Sequence, residues 1–172
     1  MTILKLIEAP NSIFKQKAKP VTVFDEGLKN LVEAMFDVLY HHQGIGLGAN
    51  MVGVLQRIII IDLQTDGKNT PMIFINPEIE FIDAEMQTYT EASLSFPGIS
   101  ADINRHKNIS LKYNNLRGEV KKLTTEGWLA TVIQHEMDYL NGRTFLDHLS
   151  PVKRDSLLRK MKKINKANSF SS

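Results

Sequence analysis

Gln134-His135-Glu136-Met137-Asp138-Tyr139-Leu140-Asn141-Gly142 is the stretch on which the fold turns. Working back from it, Leu129, Val132, Ile133, Met137 and Leu140 recur at helical spacing, so the stretch closes an amphipathic helix. Thr125 is placed to cap that helix and Glu126 falls in its first turn. Asn141-Gly142 ends it, with Gly142 as a left-handed cap. In a helical His-Glu-x-x-His the two histidines share a face and grip one metal while the glutamate handles the proton of its bound water. Here the residue four beyond His135 is Tyr139, so the pattern holds up to its last letter and then fails.

Outward from that helix the chain reads as a mixture of strands and helices. Leu28, Leu31, Val32, Met35, Phe36, Val38 and Leu39 describe one face of a helix that stops before Gly44. The glycine-rich Gly44-Ile45-Gly46-Leu47-Gly48-Ala49 leads to Arg57-Ile58-Ile59-Ile60-Ile61-Asp62, a β-branched strand. Met72 to Ile75 is a strand that Asn76-Pro77 terminates, and Glu78 to Ile82 is a further strand. Ile109 to Tyr113 alternates as a half-buried strand does, and Arg117-Gly118 is a turn. From Pro151 to Lys166, Leu157, Met161 and Ile164 share one helical face, and the tail from Ala167 to Ser172 is expected to fray. The fold class is therefore α+β, with mixed or antiparallel strands around the central helix and a helix at the C-terminus. No composition break separates a second domain: residues 1–150 form the main unit, and the basic helix and tail over 151–172 belong to it.

The 172 residues are 42% hydrophobic, enough for one core. With 21 Lys+Arg against 19 Asp+Glu, the net charge of +2 is too balanced to name a partner, and no specific DNA binding is expected. The absence of cysteine excludes disulfides, thiolate nucleophiles and Cys-based metal sites together. No apolar run approaches a membrane span, and Met1 to Pro20 lacks a signal-peptide stretch, so a soluble, cytoplasmic protein is expected.

Three segments, in order, resemble the signatures of peptide deformylase, the metal-dependent hydrolase that removes the formyl group from N-formylmethionine on new polypeptides. They are Gly44-Ile45-Gly46-Leu47-Gly48-Ala49-Asn50-Met51, Glu91-Ala92-Ser93-Leu94-Ser95 and Gln134 to Gly142. Ala18-Lys19-Pro20-Val21, Ile75-Asn76-Pro77, Phe96-Pro97-Gly98 and Phe145-Leu146-Asp147 agree as well, and the similarity spans roughly residues 3 to 150. The resemblance implies the deformylase fold, a general acid/base at Glu136, a backbone oxyanion donor at Leu94, and substrate contacts at Gly44, Gly46 and Arg105.

The departures fall on the chemistry. By resemblance, the metal takes a cysteine where this chain has Ser93 and two histidines where it has His135 and Tyr139, and a polarising glutamine stands at Met51. A hydroxyl and a neutral phenol are poor ligands beside a thiolate and an imidazole. Losing two ligands removes most of the affinity, so no cofactor is expected to bind tightly, with Fe²⁺, Ni²⁺ or Zn²⁺ the candidates if the site is partly retained. Losing one oxyanion donor costs on the order of 100- to 1000-fold in turnover.

Each position also has a plain structural role to weigh. Glu136 is either a retained base or a carboxylate fixed by hydrogen bonds in a vestigial pocket; Tyr139 fills the space of histidine and metal, and Met51 lines an apolar pocket wall. Ser93 as a nucleophile would need His135 to activate it. His41 and His42 are structural or solvent-facing at a helix end, while His106 and His148 lack ligand spacing. The expected function is a deformylase homologue of little or no activity that holds N-terminal methionyl or formyl-methionyl peptides. The alternative is an active divergent deformylase or related amide hydrolase. A further possible partner is the ribosome, through Lys153, Arg154, Arg159, Lys160, Lys162, Lys163 and Lys166.

Overall fold

The computed structural model describes residues 3–170, and the fold class is α+β, as the sequence implies. Helix α1 (Glu26–His41) opens on Asp25, whose carboxylate accepts from the Leu28 N–H at 3.0 Å, and buries Leu28, Val32, Met35 and Leu39. Strands β1 (Gly46–Gly48), β2 (Ile58–Ile61), β3 (Met72–Phe81), β6 (Asn108–Asn114) and β7 (Val120–Glu126) form one antiparallel sheet in the order β1-β2-β3-β6-β7. Strands β4 (Met86–Ser93) and β5 (Phe96–His106) pair only with each other. Helix α2 (Gly127–Leu140) lies at the centre and α3 (Pro151–Phe170) closes the chain.

Ile58 to Ile61 are all fully buried because β2 is covered on both faces. Ile58 and Ile60 face the cluster that holds Met35, Leu39, Met51 and Tyr139, whereas Ile59 and Ile61 face Phe74, Leu111, Ile133 and Leu140. A strand sandwiched in this way has no polar alternation, hence its unbroken β-branched run. Helix α2 stands between the same two clusters, which is why every residue from Ala130 to Met137 is buried.

Four expectations need correction. Thr125 and Glu126 belong to β7 and not to the helix: the hairpin that turns at Gly118 pairs Leu123 with Leu111 and Thr125 with Ile109, and α2 begins only at Gly127, with no side-chain cap from Glu126. Asn76-Pro77 does not end a strand. Asn76 adopts φ of 52°, its amide bonds the Val21 carbonyl at 2.9 Å, its carbonyl accepts from the Val21 N–H at 2.7 Å, and β3 continues past this bulge. The expected fraying from Ala167 is absent as far as Phe170, where α3 ends; Ser171 and Ser172 lie outside the described residues. The hairpin β4–β5, which carries half of the site, is not among the expected strands at all.

Gly142 terminates α2 as expected, with φ of 73°. A Cβ there would lie 2.8 Å from the Lys15 carbonyl oxygen, so both the backbone angle and the close approach of the N-terminal segment require glycine. Along α3, Met161 is buried, Leu157 and Leu158 pack on the core, and the Lys residues point outward. Among the described residues no helix is long and apolar enough to cross a membrane.

Candidate active site

Helix α2 and hairpin β4–β5 meet at a cavity of about 400 Å³ whose polar floor is His135, Glu136, Ser93 and Glu91. Its apolar side is Ile45, Leu94, Val132 and Trp128. Gly44, Gly46, His135, Glu136, Ser93 and Leu94 are therefore brought together around one space. Strand β1 is an edge of the large sheet and β4 has a partner on one side only, so two strand edges border the cavity. A Cβ on Gly46 would lie 3.0 Å from Glu136 Oε1 and 3.2 Å from Val132 Cγ1, so glycine is what lets β1 sit this close to α2.

His135 is held from behind. Its Nδ1–H donates to Glu91 Oε1 at 2.7 Å, since an ionised carboxylate can only accept, and its ring stacks on Phe145 at 5.4 Å. Glu91 in turn takes two bonds from Arg105, from Nε at 2.7 Å and Nη2 at 2.9 Å. Burial alone would push Glu91 up, but the bonds from His135 and Arg105 outweigh it and hold the carboxyl below its usual value. Arg105 Nη1 reaches Asp138 Oδ2 at 3.0 Å, and His148 Nε2 donates to that same oxygen at 2.8 Å. Burial is again outweighed at Asp138, by His148 and Arg105, and its pKa is lowered.

Glu136 has no such support. Its Oε2 is buried without a hydrogen-bond partner, and Oε1 stands 3.9 Å from His135 Nε2. Burial raises its pKa from 4.5 to about 7, against the opposing pull of His135, the Gly48 N–H and Arg105. No side-chain hydrogen bond reaches this carboxylate, and the Gly48 N–H is the backbone donor beside it.

Ser93 and Tyr139 face each other. Their hydroxyl oxygens are 2.5 Å apart, and Ser93 Oγ also accepts from the Ser95 N–H at 3.2 Å. Tyr139 is fully buried, edge-on to Phe14 at 5.5 Å, and burial pushes its ionisation above the usual tyrosine range. Tyr139 thus fills space as the sequence suggests, whereas Ser93 is bonded to a phenol and not to His135.

Two further residues are displaced from their expected places. Met51 lies in the core and not on the cavity wall, 1% exposed, with its sulfur accepting from the Gly48 N–H at 3.4 Å. Arg105 is 4% exposed and saturated by Glu91 and Asp138, so it is a buried counter-ion behind His135 and not a residue at a substrate entrance. The sequence reading assigned no role to Glu91, Asp138, His148 or Trp128. The available signal was an acidic residue, Glu91, opening the second deformylase-like segment, and an arginine fourteen residues on to neutralise it.

A family profile for polypeptide deformylase matches residues 3–155. The chain belongs to the peptide deformylase family. Among its relatives, a peptide deformylase-like protein of Rickettsia conorii is 50% identical over 159 residues, covering 92% of this chain and 87% of that protein. Peptide deformylase 1 of Pseudomonas syringae is 43% identical over 98% of this chain and 99% of its own length. The crystal structure of a peptide deformylase from Legionella pneumophila superposes with a TM-score of 0.89 at 36% identity, covering 98% of both chains. Within this deformylase scaffold, the ligand positions implied by the sequence carry one imidazole, one hydroxyl and one phenol.

Proposed function

We propose that this member of the peptide deformylase family keeps the peptide-binding cavity but has lost the metal-dependent deformylation. The observation that carries this is the Ser93–Tyr139 contact: two hydroxyls bond each other at 2.5 Å where the resemblance puts a thiolate and an imidazole. The residues present do not fit the family's metal. Tyr139 binds a cation well only as phenolate, and burial opposes that form. His135 is then the one strong donor left, since Glu136 faces its ring from 3.9 Å and Glu91 is engaged by Arg105.

The cavity itself supports peptide binding. Two strand edges, at Gly46 and along Thr90 to Ser93, border it, and an extended peptide can bond to such edges while one side chain enters the apolar side beside Ile45, Leu94 and Val132. Main-chain pairing of this kind needs no metal. The ligand class is therefore a peptide beginning with methionine, formylated or free.

Formate release from a formyl-Met-Ala-Ser tripeptide, with Fe²⁺, Ni²⁺, Co²⁺ or Zn²⁺ supplied, is the test. The expected result is a silent wild type beside an active triple variant, Met51→Gln with Ser93→Cys and Tyr139→His. Wild-type turnover that Glu136→Ala abolishes would overturn the proposal and establish the second reading, an active divergent hydrolase. That reading draws on Glu136, whose pKa of about 7 suits a general base at neutral pH. The exposed lysines of α3 suit a ribosome contact, for which cosedimentation should fall with salt and with neutralisation of Lys160, Lys162 and Lys163.

A further inference from the structure

Asp62 follows β2 as a fully buried carboxylate, and several pieces of chain converge on it. Its Oδ2 accepts from the Tyr40 hydroxyl, near the end of α1, at 2.6 Å. Its Oδ1 accepts from the Gln64 N–H at 3.0 Å and from the Thr70 N–H at 2.9 Å, so it fastens both ends of a loop whose residues 65–70 are all exposed. From this loop one side chain reaches the edge of the cavity: Gln64 Nε2 donates to the Gly44 carbonyl at 3.0 Å. Gln43, Gly44 and Ile45 line the cavity and Gln64 does not. Gln43 and Gln64 both hold left-handed backbone angles, with φ of 57° and 51°. Side chains disfavour that region, and such a conformation persists where surrounding bonds over-determine it, as those of Asp62 do at Gln64.

Two successive carbonyls of the rim are thereby tied to this loop, that of Gly44 by the Gln64 amide and that of Ile45 by the Asp62 N–H at 2.8 Å. A trans peptide is planar, so fixing the Gly44 carbonyl on the loop side turns the Ile45 N–H to the opposite side. Gly44 is also wedged between neighbours: a Cβ there would lie 2.5 Å from Leu94 Cδ1 and 3.0 Å from Leu39 Cδ1, so a shift of the rim moves Leu94 in the cavity wall. Resting on the peptide-binding reading above, we propose that Gln64 is a positioning residue for that site: held by Asp62, it fixes the Gly44–Ile45 peptide plane at the cavity rim. It touches no ligand and acts through Gly44. Without its amide the rim has to be ordered as the ligand binds, and that cost is subtracted from the affinity.

The test is calorimetric titration of wild type, Gln64→Leu and Gln64→Lys with formyl-Met-Ala-Ser and with Met-Ala-Ser, read with whichever peptide wild type binds. Gln64→Leu keeps the bulk and removes the donor, so its affinity should fall about fivefold, the worth of one neutral hydrogen bond. Its melting midpoint should stay within about 3 °C of wild type, because an exposed loop adds little to global stability. Gln64→Lys supplies a donor of sufficient reach and should bring the affinity back to near the wild-type value. A Gln64→Leu protein that binds as wild type does overturns the positioning role and leaves the peptide-binding reading intact. Failure of Gln64→Lys to recover the loss, or a fall in melting midpoint far beyond that margin, also overturns it, since shape or folding would then be the cause. Wild type that binds neither peptide removes the peptide-binding reading and the positioning role with it.

Discussion

Two carboxylates flank the His135 ring, and the protein treats them in opposite ways. Glu91, behind the ring, receives three hydrogen bonds from two cationic or donor side chains and is held as an anion below its usual pKa. Glu136, in front of it, is just as buried but has an unpartnered oxygen and a pKa raised to about 7. The difference is one of partners and not of depth. Burial raises both, and only Glu91 has direct hydrogen bonds from His135 and Arg105 to reverse it. The carboxylate behind the ring is therefore fully partnered within the chain, whereas the one in front keeps an oxygen with no side-chain partner.

The most damaging way to break that contrast is Arg105→Ala, which makes the rear resemble the front. Glu91 would then be a buried anion with only the His135 N–H to hold it, and the half-buried Asp138 would keep only His148, so a loss of about 3–5 kcal/mol in urea denaturation is expected. A loss under about 1 kcal/mol would mean the rear charges are solvated after all. The reverse change acts on the front: Glu136→Gln should stabilise the protein, and only at higher pH. Because folding raises this acid's pKa from 4.5 to about 7, the folded state holds the proton more tightly, so the penalty is absent below 4.5 and complete above 7. In EDTA the gain should be near zero at pH 4 and about 3 kcal/mol at pH 8. Melting curves across that range check it, and a gain that is flat with pH would assign the effect to packing.

The contrast also marks what the sequence could carry. The α+β class, the central helix, its end at Gly142 and the three deformylase-like segments were legible because each depends on local pattern: helical periodicity, a glycine with positive φ, residues at fixed spacing. Hairpin β4–β5 was not, since Thr88, Thr90 and Asp102 lie on its outer face and polar residues dominate its composition. The start of α2 was misplaced because Thr125 and Glu126 make an adequate cap locally, and the pairing of β7 with β6, a tertiary fact, takes them first. Residue identities at Ser93, Tyr139 and Met51 were visible, but not that the first two would bond each other or that the third would leave the cavity wall for the core. Arg105 was misjudged for the same reason. A lone arginine in sequence looks solvent-facing, and its two acid partners lie fourteen and thirty-three residues away.

Smaller substitutions sharpen the comparison within each half. Tyr139→Phe deletes the phenol but leaves Ser93 Oγ accepting from the Ser95 N–H, so a loss of about 1 kcal/mol is expected, the ordinary net value of one neutral hydrogen bond. A loss several times larger would show that the hydroxyl pair supports the cavity floor and does more than fill it.

His148 gives the finest test, because it sits where the rear network reaches solvent. Its imidazole donates to Asp138 at 2.8 Å with 28% of the side chain exposed, whereas the Arg105 and Glu91 side chains one step further in are 3% and 2% exposed. Water and salt screen the outer pair and not the inner one. His148→Ala should therefore cost only about 0.5 kcal/mol, and about 1 M NaCl, where the Debye length is near 3 Å, should erase most of that difference. The same salt should leave the Arg105→Ala loss almost unchanged, since no ion reaches the Glu91 carboxylate. If salt shrinks both losses alike, the network is a surface feature throughout, and the distinction between a firmly bonded Glu91 and a weakly partnered Glu136 fails with it.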